Sequence, residues 1–415
     1  MSVRGWNYTI MFELRMLGYR FLKAFMKPVV KLVPQPRPVV FVGPDAALRL
    51  CSMIGGFGFR RVLIVTDAVL VKLGVVAPLR RALVEQGIDV ALFDSILPDP
   101  THPVVKQGHA AALAHRSEAI LAVGGGSSID AAKVIAAMVT SGKPPEKLLG
   151  FFRLSKPMLP LFVVPTTAGT GSEVTVAAVL TDPVRHQKAA VVDPRIVPAA
   201  AALDPKVMQG MPPHITAATG MDALTHAVEA YLNVWPAAET AFHSVSAVRL
   251  IFANLPRAYV HGDDLEAREA MALASFYGGL AFTKAYVGYV HAFSHKIGGT
   301  YGVPHGQANA ITLPYVLDFI KDAPYAEARL AELAVAIGAG IQEEPRAILA
   351  QRFVDRVRKL NLAIGIPEKI APLRGSDIPA IARAAMVEAN RDYPVPKRMK
   401  LVQAEALLRQ MTVTS

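Results

Sequence analysis

Five residues able to hold a metal ion or move a proton fall in two short stretches of the chain. "TGMDALTHAVEAY" (219–231) carries Asp222 and His226, and "VHAFSHKIGGTYGVPHG" (290–306) carries three of the eleven histidines, His291, His295 and His305. Residues four apart on a helix share one face, with side chains about 6 Å apart, which suits two ligands of one ion. Both Asp222/His226 and His291/His295 have that spacing, and a glycine-rich turn before His305 is able to bring it back toward the same point. Taken alone, the first pair reads as a helix-capping aspartate and a satisfied core histidine. One carboxylate with up to four imidazoles is too dense for an ordinary helical core, so the pattern as a whole predicts a divalent metal site.

Two further stretches suit a phosphate. "AVGGGSSIDAAK" (122–133) runs a strand through Gly124, Gly125 and Gly126 into a helix opened by Ser127 and Ser128. Glycines let backbone approach a diphosphate, and the free N–H groups at a helix start attract it. The spacing is not G-x-G-x-x-G, so alone this loop fits a structural β–α turn equally well. "PTTAGTGSEVT" (165–175), with Thr166 and Thr167, ends another buried strand, and two such loops at the carboxyl ends of parallel strands are where a nucleotide lies. Asp67, ending "RVLIVTD", fits two roles: accepting from an adenine-ribose hydroxyl, which would disfavour a 2′-phosphate, or starting a turn.

The elements that must position these residues follow a clear rhythm. "RVLIVTD" (61–67), "VALFDS" (90–95), "AILAVGGG" (119–126) and "LFVVPTT" (161–167) are β-rich runs separated by helical patterns, which predicts a parallel sheet with crossover helices. "VTVAAVLTD" and "KAAVVD" predict a hairpin extending that sheet. After "LDPKVMQGMPPH" the strand signals stop and helical periodicity runs almost to the end. The expected organisation is a basic leader (1–37), an α/β domain (38–207) and a helical domain (208–415).

Composition narrows the class. At 415 residues and 52% apolar, the chain has material for two packed domains. Cys51 is the only cysteine, so there is no internal disulfide and no zinc finger or iron–sulfur cluster, which fits a cytoplasmic protein. The longest uncharged run, "IGGTYGVPHGQANAITLPYVL", holds two prolines, a histidine, a glutamine and an asparagine, so no transmembrane span is expected. Nor does the N-terminus read as a signal peptide. The net charge is +11, but Arg4, Arg15, Arg20, Lys23, Lys27, Lys31 and Arg37 against Glu13 alone place over half of it in the leader, which argues against nucleic acid. Within residues 8–32, Ile10, Leu14, Leu17, Phe21 and Phe25 recur at helical spacing, Arg20, Lys23 and Lys27 lie on another side, and Pro28 ends the pattern. Such a helix either lies in a membrane interface or packs on the protein itself or across a dimer.

The motifs "GGGSSIDAAK", "PTTAGTGSEVT", "GMDALTHAVEAY" and "VHAFSHKIGGTYGVPHG" together resemble those of the iron-containing (group III) alcohol dehydrogenases, in the dehydroquinate synthase-like superfamily. The resemblance covers about residues 38–410. It implies an α/β N-terminal dinucleotide-binding domain plus an all-α C-terminal domain, with the active site in the cleft between them. It also implies Asp222, His226, His291 and His305 as ligands of Fe2+, or alternatively Zn2+, with His295 catalytic beside nicotinamide and substrate. NAD would be held by Asp67, Gly124, Gly125, Gly126, Ser127, Ser128, Thr166, Thr167 and Lys188. The implied reaction is hydride transfer between a small primary alcohol and nicotinamide, or its reverse on an aldehyde, in a homo-oligomer expected as a dimer.

Departures from the family pattern bear on the substrate. Lys284 stands where many relatives have Asn, Tyr286 where they often have Gly, Lys296 where Pro is common, and "RDYPVPKRM" (391–399) replaces the frequent Asn-Pro-Arg ending. Ala177 falls where some place a polar residue. With Phe282 and Val287, residues Ala177, Lys284 and Tyr286 mark the expected substrate pocket. Lys284 either favours an anionic alcohol or aldehyde there or sits on a solvated helix face. Two rival readings remain. A lyase of the same fold would not be expected to carry the four-ligand set, and a membrane- or nucleic-acid-associated protein with a relic site would form no NADH.

Overall fold

The computed structural model describes residues 18–19, 35–183, 187–235 and 237–413. The expected leader helix over residues 8–32 lies almost wholly outside them. In chain order the first half contains β1 (Val39–Val42), α1 (Ala46–Gly56), β2 (Arg61–Val65), α2 (Ala68–Lys72), α3 (Val76–Glu85), β3 (Asp89–Phe93), α4 (His102–His115), β4 (Ala119–Gly124), α5 (Gly126–Ser141), α6 (Pro145–Leu148), β5 (Gly150–Phe151), β6 (Leu161–Pro165), β7 (Ala177–Asp182), β8 (Gln187–Val192) and β9 (Ala200–Leu203).

Strands buried on both faces of a parallel sheet need unbroken apolar runs, and β2, β4 and β6 supply them. Their period of two divides each strand between two cores. Leu63, Val65, Ile120, Ala122, Leu161 and Val163 pack with α4 and α5, whereas Val62, Ile64, Leu121, Val123, Phe162 and Val164 pack with α1 and α3. The six-stranded sheet has the order β1-β9-β6-β4-β2-β3, and every described pairing in it is parallel.

The hairpin departs from expectation. β7 and β8 do pair antiparallel, but with β5 they form a separate three-stranded sheet, order β5-β8-β7, rather than extending the main one. The open side of β6 is already taken by β9, and residues 166–176, rich in Gly, Ser and Thr, carry the chain off the sheet. β9 itself, "AAAL", is a strand that alanines conceal.

Helices follow: α7 (Pro213–Leu232), α8 (Ala238–Val260), α9 (Leu265–Ala285), α10 (Tyr289–Tyr301), α11 (His305–Ile320), α12 (Pro324–Ala336), α13 (Arg346–Ala363), α14 (Ile378–Asp392) and α15 (Leu401–Gln410). A parallel-sheet N-terminal part with a helical C-terminal part is the class the sequence predicts. The chain divides into two compact units, one comprising Pro34–Ala223 and Leu250–Leu280, the other taking in Leu224–Arg249 and Ala281–Ser415. α7 is one continuous helix, so Asp222 and His226 keep helical spacing on it.

Candidate metal centre and nucleotide loops

Asp222 and His226 lie one turn apart on α7, and both are buried. α10 carries His291, also buried, and His295 one turn on. The ligating atoms of Asp222, His226 and His291 all lie within 4.8 Å of one another. The His226 ring stacks on His291 at 4.6 Å and on Phe282 at 4.2 Å between centroids. Gly302 ends α10 in the left-handed conformation (φ 68°), and His305 opens α11 three residues later. His305 is outside the 4.8 Å triad, but its ring is 5.3 Å from His291 and 5.2 Å from His295. Asn309, one turn into α11, places Nδ2 3.2 Å from His291 Nε2 and 3.1 Å from His305 Nε2, so the two nitrogens face one amide.

What orients His291 is a residue that sequence reasoning passed over. Glu229, one turn beyond His226 on α7, is buried and its Oε2 lies 2.6 Å from His291 Nδ1. The same carboxylate accepts from the backbone N–H of Gly288 (2.8 Å) and of Val290 (2.7 Å), two donors that the start of α10 would otherwise leave without a helical partner. A Cβ at Gly288 would come within 2.8 Å of Glu229 Oε1, so a side chain there would push the carboxylate away. The link from α9 to α10 is fixed as firmly. Asn233 Nδ2 donates to the carbonyls of Ala285, Tyr286 and Val287 at 2.7, 3.1 and 3.0 Å. Tyr286, held there at φ 65°, takes a conformation that costs an L-residue about 1–2 kcal/mol.

This donor set fits a divalent ion. An ionised carboxylate beside Nδ1 makes it the proton-bearing nitrogen of His291 and leaves Nε2 with its lone pair. Burial, reinforced by His226, His305 and His295 nearby, pushes the His291 ring well below the ordinary histidine range, so it is neutral at pH 7. One carboxylate with neutral imidazoles suits Fe2+ and Zn2+ alike.

The nucleotide candidates lie at the carboxyl ends of adjacent strands. Gly124 of β4 stands beside Pro165 of β6, and Thr166 N–H donates to the Gly124 carbonyl at 3.0 Å, which brings the two loops together. Gly125 caps α5, and Gly126 packs so tightly on the second loop that a Cβ would fall 2.6 Å from Thr170 Cγ2. Ser127 and Lys188 converge on Asp99: Lys188 Nζ is 2.6 Å from its carboxylate, and Asp99 N–H donates to Ser127 Oγ at 3.3 Å. Beneath the loops, buried Lys133 donates to the carbonyls of Thr175 and Ala177, both at 2.8 Å, and Asp130 accepts from Ser172 Oγ and Val179 N–H. Burial lowers Lys133 to about 8. Asp67 caps α2, with Oδ1 accepting from Val69 and Leu70 N–H at 2.9 and 3.0 Å.

Residues 36–205 match the family described as iron-containing alcohol dehydrogenase, and residues 216–412 match its C-terminal family. The chain belongs to the iron-containing alcohol dehydrogenases. It is 41% identical to alcohol dehydrogenase 4 of Schizosaccharomyces pombe over 84% of this chain and 83% of that one. It is 36% identical to the NAD-dependent methanol dehydrogenase of Bacillus methanolicus, over 84% and 91% of the two chains. The solved structure of a 1,3-propanediol oxidoreductase superposes with a TM-score of 0.87 at 36% identity, covering 92% of this chain and all (100%) of that one.

Within this iron-containing dehydrogenase the residues that depart from the family pattern have defined surroundings. Lys284 Nζ lies 2.5 Å from Glu239 Oε2, so its charge is already balanced. Tyr286 meets Trp235 edge-on, ring centroids 5.6 Å apart. Of the expected pocket residues, Phe282 is the one stacked on a candidate ligand; Ala177 opens β7 and is tied to Lys133, and Val287 to Asn233. Lys296 and Tyr393 both bind Glu388, which also lies 2.7 Å from His295 Nδ1. Burial alone would raise the Glu388 carboxyl, but the charges and hydrogen bonds of His295 and Lys296 outweigh it and hold it at about 2. Glu388 had no local signal, standing 93 positions from His295.

Proposed function

We propose that this chain is a metal-dependent, NAD(H)-linked alcohol dehydrogenase that also reduces aldehydes, acting on a small primary alcohol. The observation that carries this is the buried triad of Asp222, His226 and His291 with His305 beside it, in a chain of the iron-containing family. Asp222, His226, His291 and His305 would hold Fe2+ or Zn2+; when bound, the ion supplies Lewis acidity toward the alcohol or carbonyl oxygen, and NAD supplies the hydride acceptor. Residues 124–128 with Thr166 and Thr167 receive the diphosphate, Lys188 lies on the cofactor side, and Asp67 faces the adenine ribose. Phe282, with Ala177, Lys284, Tyr286 and Val287, lines the substrate side. His295, its side chain 30% exposed, takes the hydroxyl proton and passes it to water. The domain reading is an NAD-binding part to residue 207 and a metal-binding helical part from 208.

After reconstitution with Fe2+ the protein should form NADH from simple alcohols, which a relic site would not. His291→Ala and His305→Ala should lose most bound iron and nearly all turnover while still binding NAD. Wild-type iron content in His291→Ala would overturn the ligand assignment. No helix among the described residues is long and apolar enough to cross a membrane. The finer reading is a cytoplasmic homodimer touching anionic membrane through residues 8–32, which rests on the charge and periodicity of that stretch. Deleting residues 1–34 should then abolish sedimentation with anionic liposomes and spare activity.

A further inference from the structure

The relay histidine is held by a network whose geometry selects one of its two nitrogens. Glu388 projects from α14 with its side chain 11% exposed. Its Oε1 lies 2.7 Å from His295 Nδ1 and accepts from the Tyr393 hydroxyl at 2.7 Å, and its Oε2 lies 2.5 Å from Lys296 Nζ. An ionised carboxylate can only accept, so the nitrogen it faces must carry the proton. Tyr393 and Lys296 grip the carboxylate from two further directions, and the His295 ring is stacked on His305 with an interplanar angle of 14°, so neither partner is able to swing away without breaking other contacts. Both anchors lie where the sequence departs from the family's common residues.

We propose that Glu388, anchored by Tyr393 and Lys296, is a positioning residue that keeps the His295 proton on Nδ1 and so makes Nε2 the atom that exchanges the alcohol proton. This rests on the reading of His295 as the relay. In the oxidation direction, with NAD bound as the hydride acceptor, the hydroxyl proton would go to Nε2 and from there to water, while the other proton stays on Nδ1, hydrogen-bonded to Glu388 throughout. Lys296 contributes by keeping the carboxylate an acceptor, not by reaching substrate.

The test is a long-range 1H–15N correlation spectrum of the full chain labelled at histidine, read metal-free and zinc-loaded at mildly alkaline pH, with His295 assigned by its loss in His295→Gln. The expected result is a protonated Nδ1 in the wild type, and in Glu388→Gln a switch to a protonated Nε2, because an amide N–H can donate to Nδ1. A protonated Nε2 in the wild type, or a tautomer unmoved by Glu388→Gln, overturns the proposal; should that variant not fold, the wild-type spectrum decides. Glu388→Gln should also lower kcat about 10²-fold with KM for NAD and metal content held, and should add nothing in the His295→Gln background. Multiplying effects in the double variant would refute action through His295. If His295→Gln alone keeps full kcat, the relay reading fails, while the spectra still decide what Glu388 does to the ring.

Discussion

Glu229→Gln is the substitution that most directly probes how the metal centre is held. The carboxylate receives three donors in a buried site: Gly288 N–H and His291 Nδ1 at Oε2, and Val290 N–H at Oε1. An amide fills the same volume but offers one acceptor and one donor. If its oxygen serves Gly288 and His291, its NH2 confronts the Val290 N–H and leaves that donor unsatisfied. If it is turned over, the NH2 confronts the Gly288 N–H and drives His291 to the tautomer with a proton on Nε2, which is unable to ligate. Either arrangement loses a hydrogen bond to a charged group, worth about 1.5–3 kcal/mol, and strands a buried donor. Losing the outer partner of a metal-bound histidine typically costs about 10–100-fold in affinity, or about 1.4–2.8 kcal/mol. Chelator competition on the full chain should therefore show zinc or iron bound 10–100-fold more weakly, with apo-protein stability down by about 2 kcal/mol in urea. Metal affinity within twofold of wild type would refute the argument that Glu229 sets the His291 tautomer.

Asp67→Asn keeps an acceptor for the α2 N–H groups while removing the charge, so it should relax the preference for NADH over NADPH with little loss of stability; unchanged cofactor preference, measured as the ratio of kcat/KM values, would show the cap to be the whole role of Asp67. Because Lys284 is already paired with Glu239, Lys284→Ala should change KM for a carboxylated and a neutral alcohol alike; a selective loss on the carboxylated one would mean that the ion pair opens to substrate. Glu388 is held at about 2 against an ordinary 4.5, a depressed pKa, so its contribution to stability is complete above pH 4.5 and is lost as pH falls toward 2. Glu388→Gln should flatten the acid limb of the unfolding curve over that window, and an unchanged limb would mean that the carboxylate gains nothing from His295 and Lys296.

The contrast between what the sequence discloses and what it hides follows from the range of the interactions. β2, β4 and β6 are legible because burial on both faces demands consecutive apolar residues, whereas β9 is hidden because three alanines carry no strand signal and it is a strand only by virtue of its neighbours β1 and β6. Asp222, His226, His291 and His295 announce themselves through helical spacing, a local property. Glu229 was equally local, three residues past His226, yet a glutamate on a helix reads as a solvated charge until its partners, 59 to 62 positions away, are known. Tyr393 and Lys296 had only the departures from the family pattern to mark them, and Glu388, 93 positions from His295, had nothing. The sequence therefore exposes groups that must share one turn of helix, and conceals the acceptors that decide which nitrogen of each imidazole carries its proton. In this chain two buried carboxylates, on α7 and α14, face Nδ1 of His291 and of His295 respectively, so in the proposed reading the donor toward the ion and the base toward the alcohol are selected by residues that need touch neither.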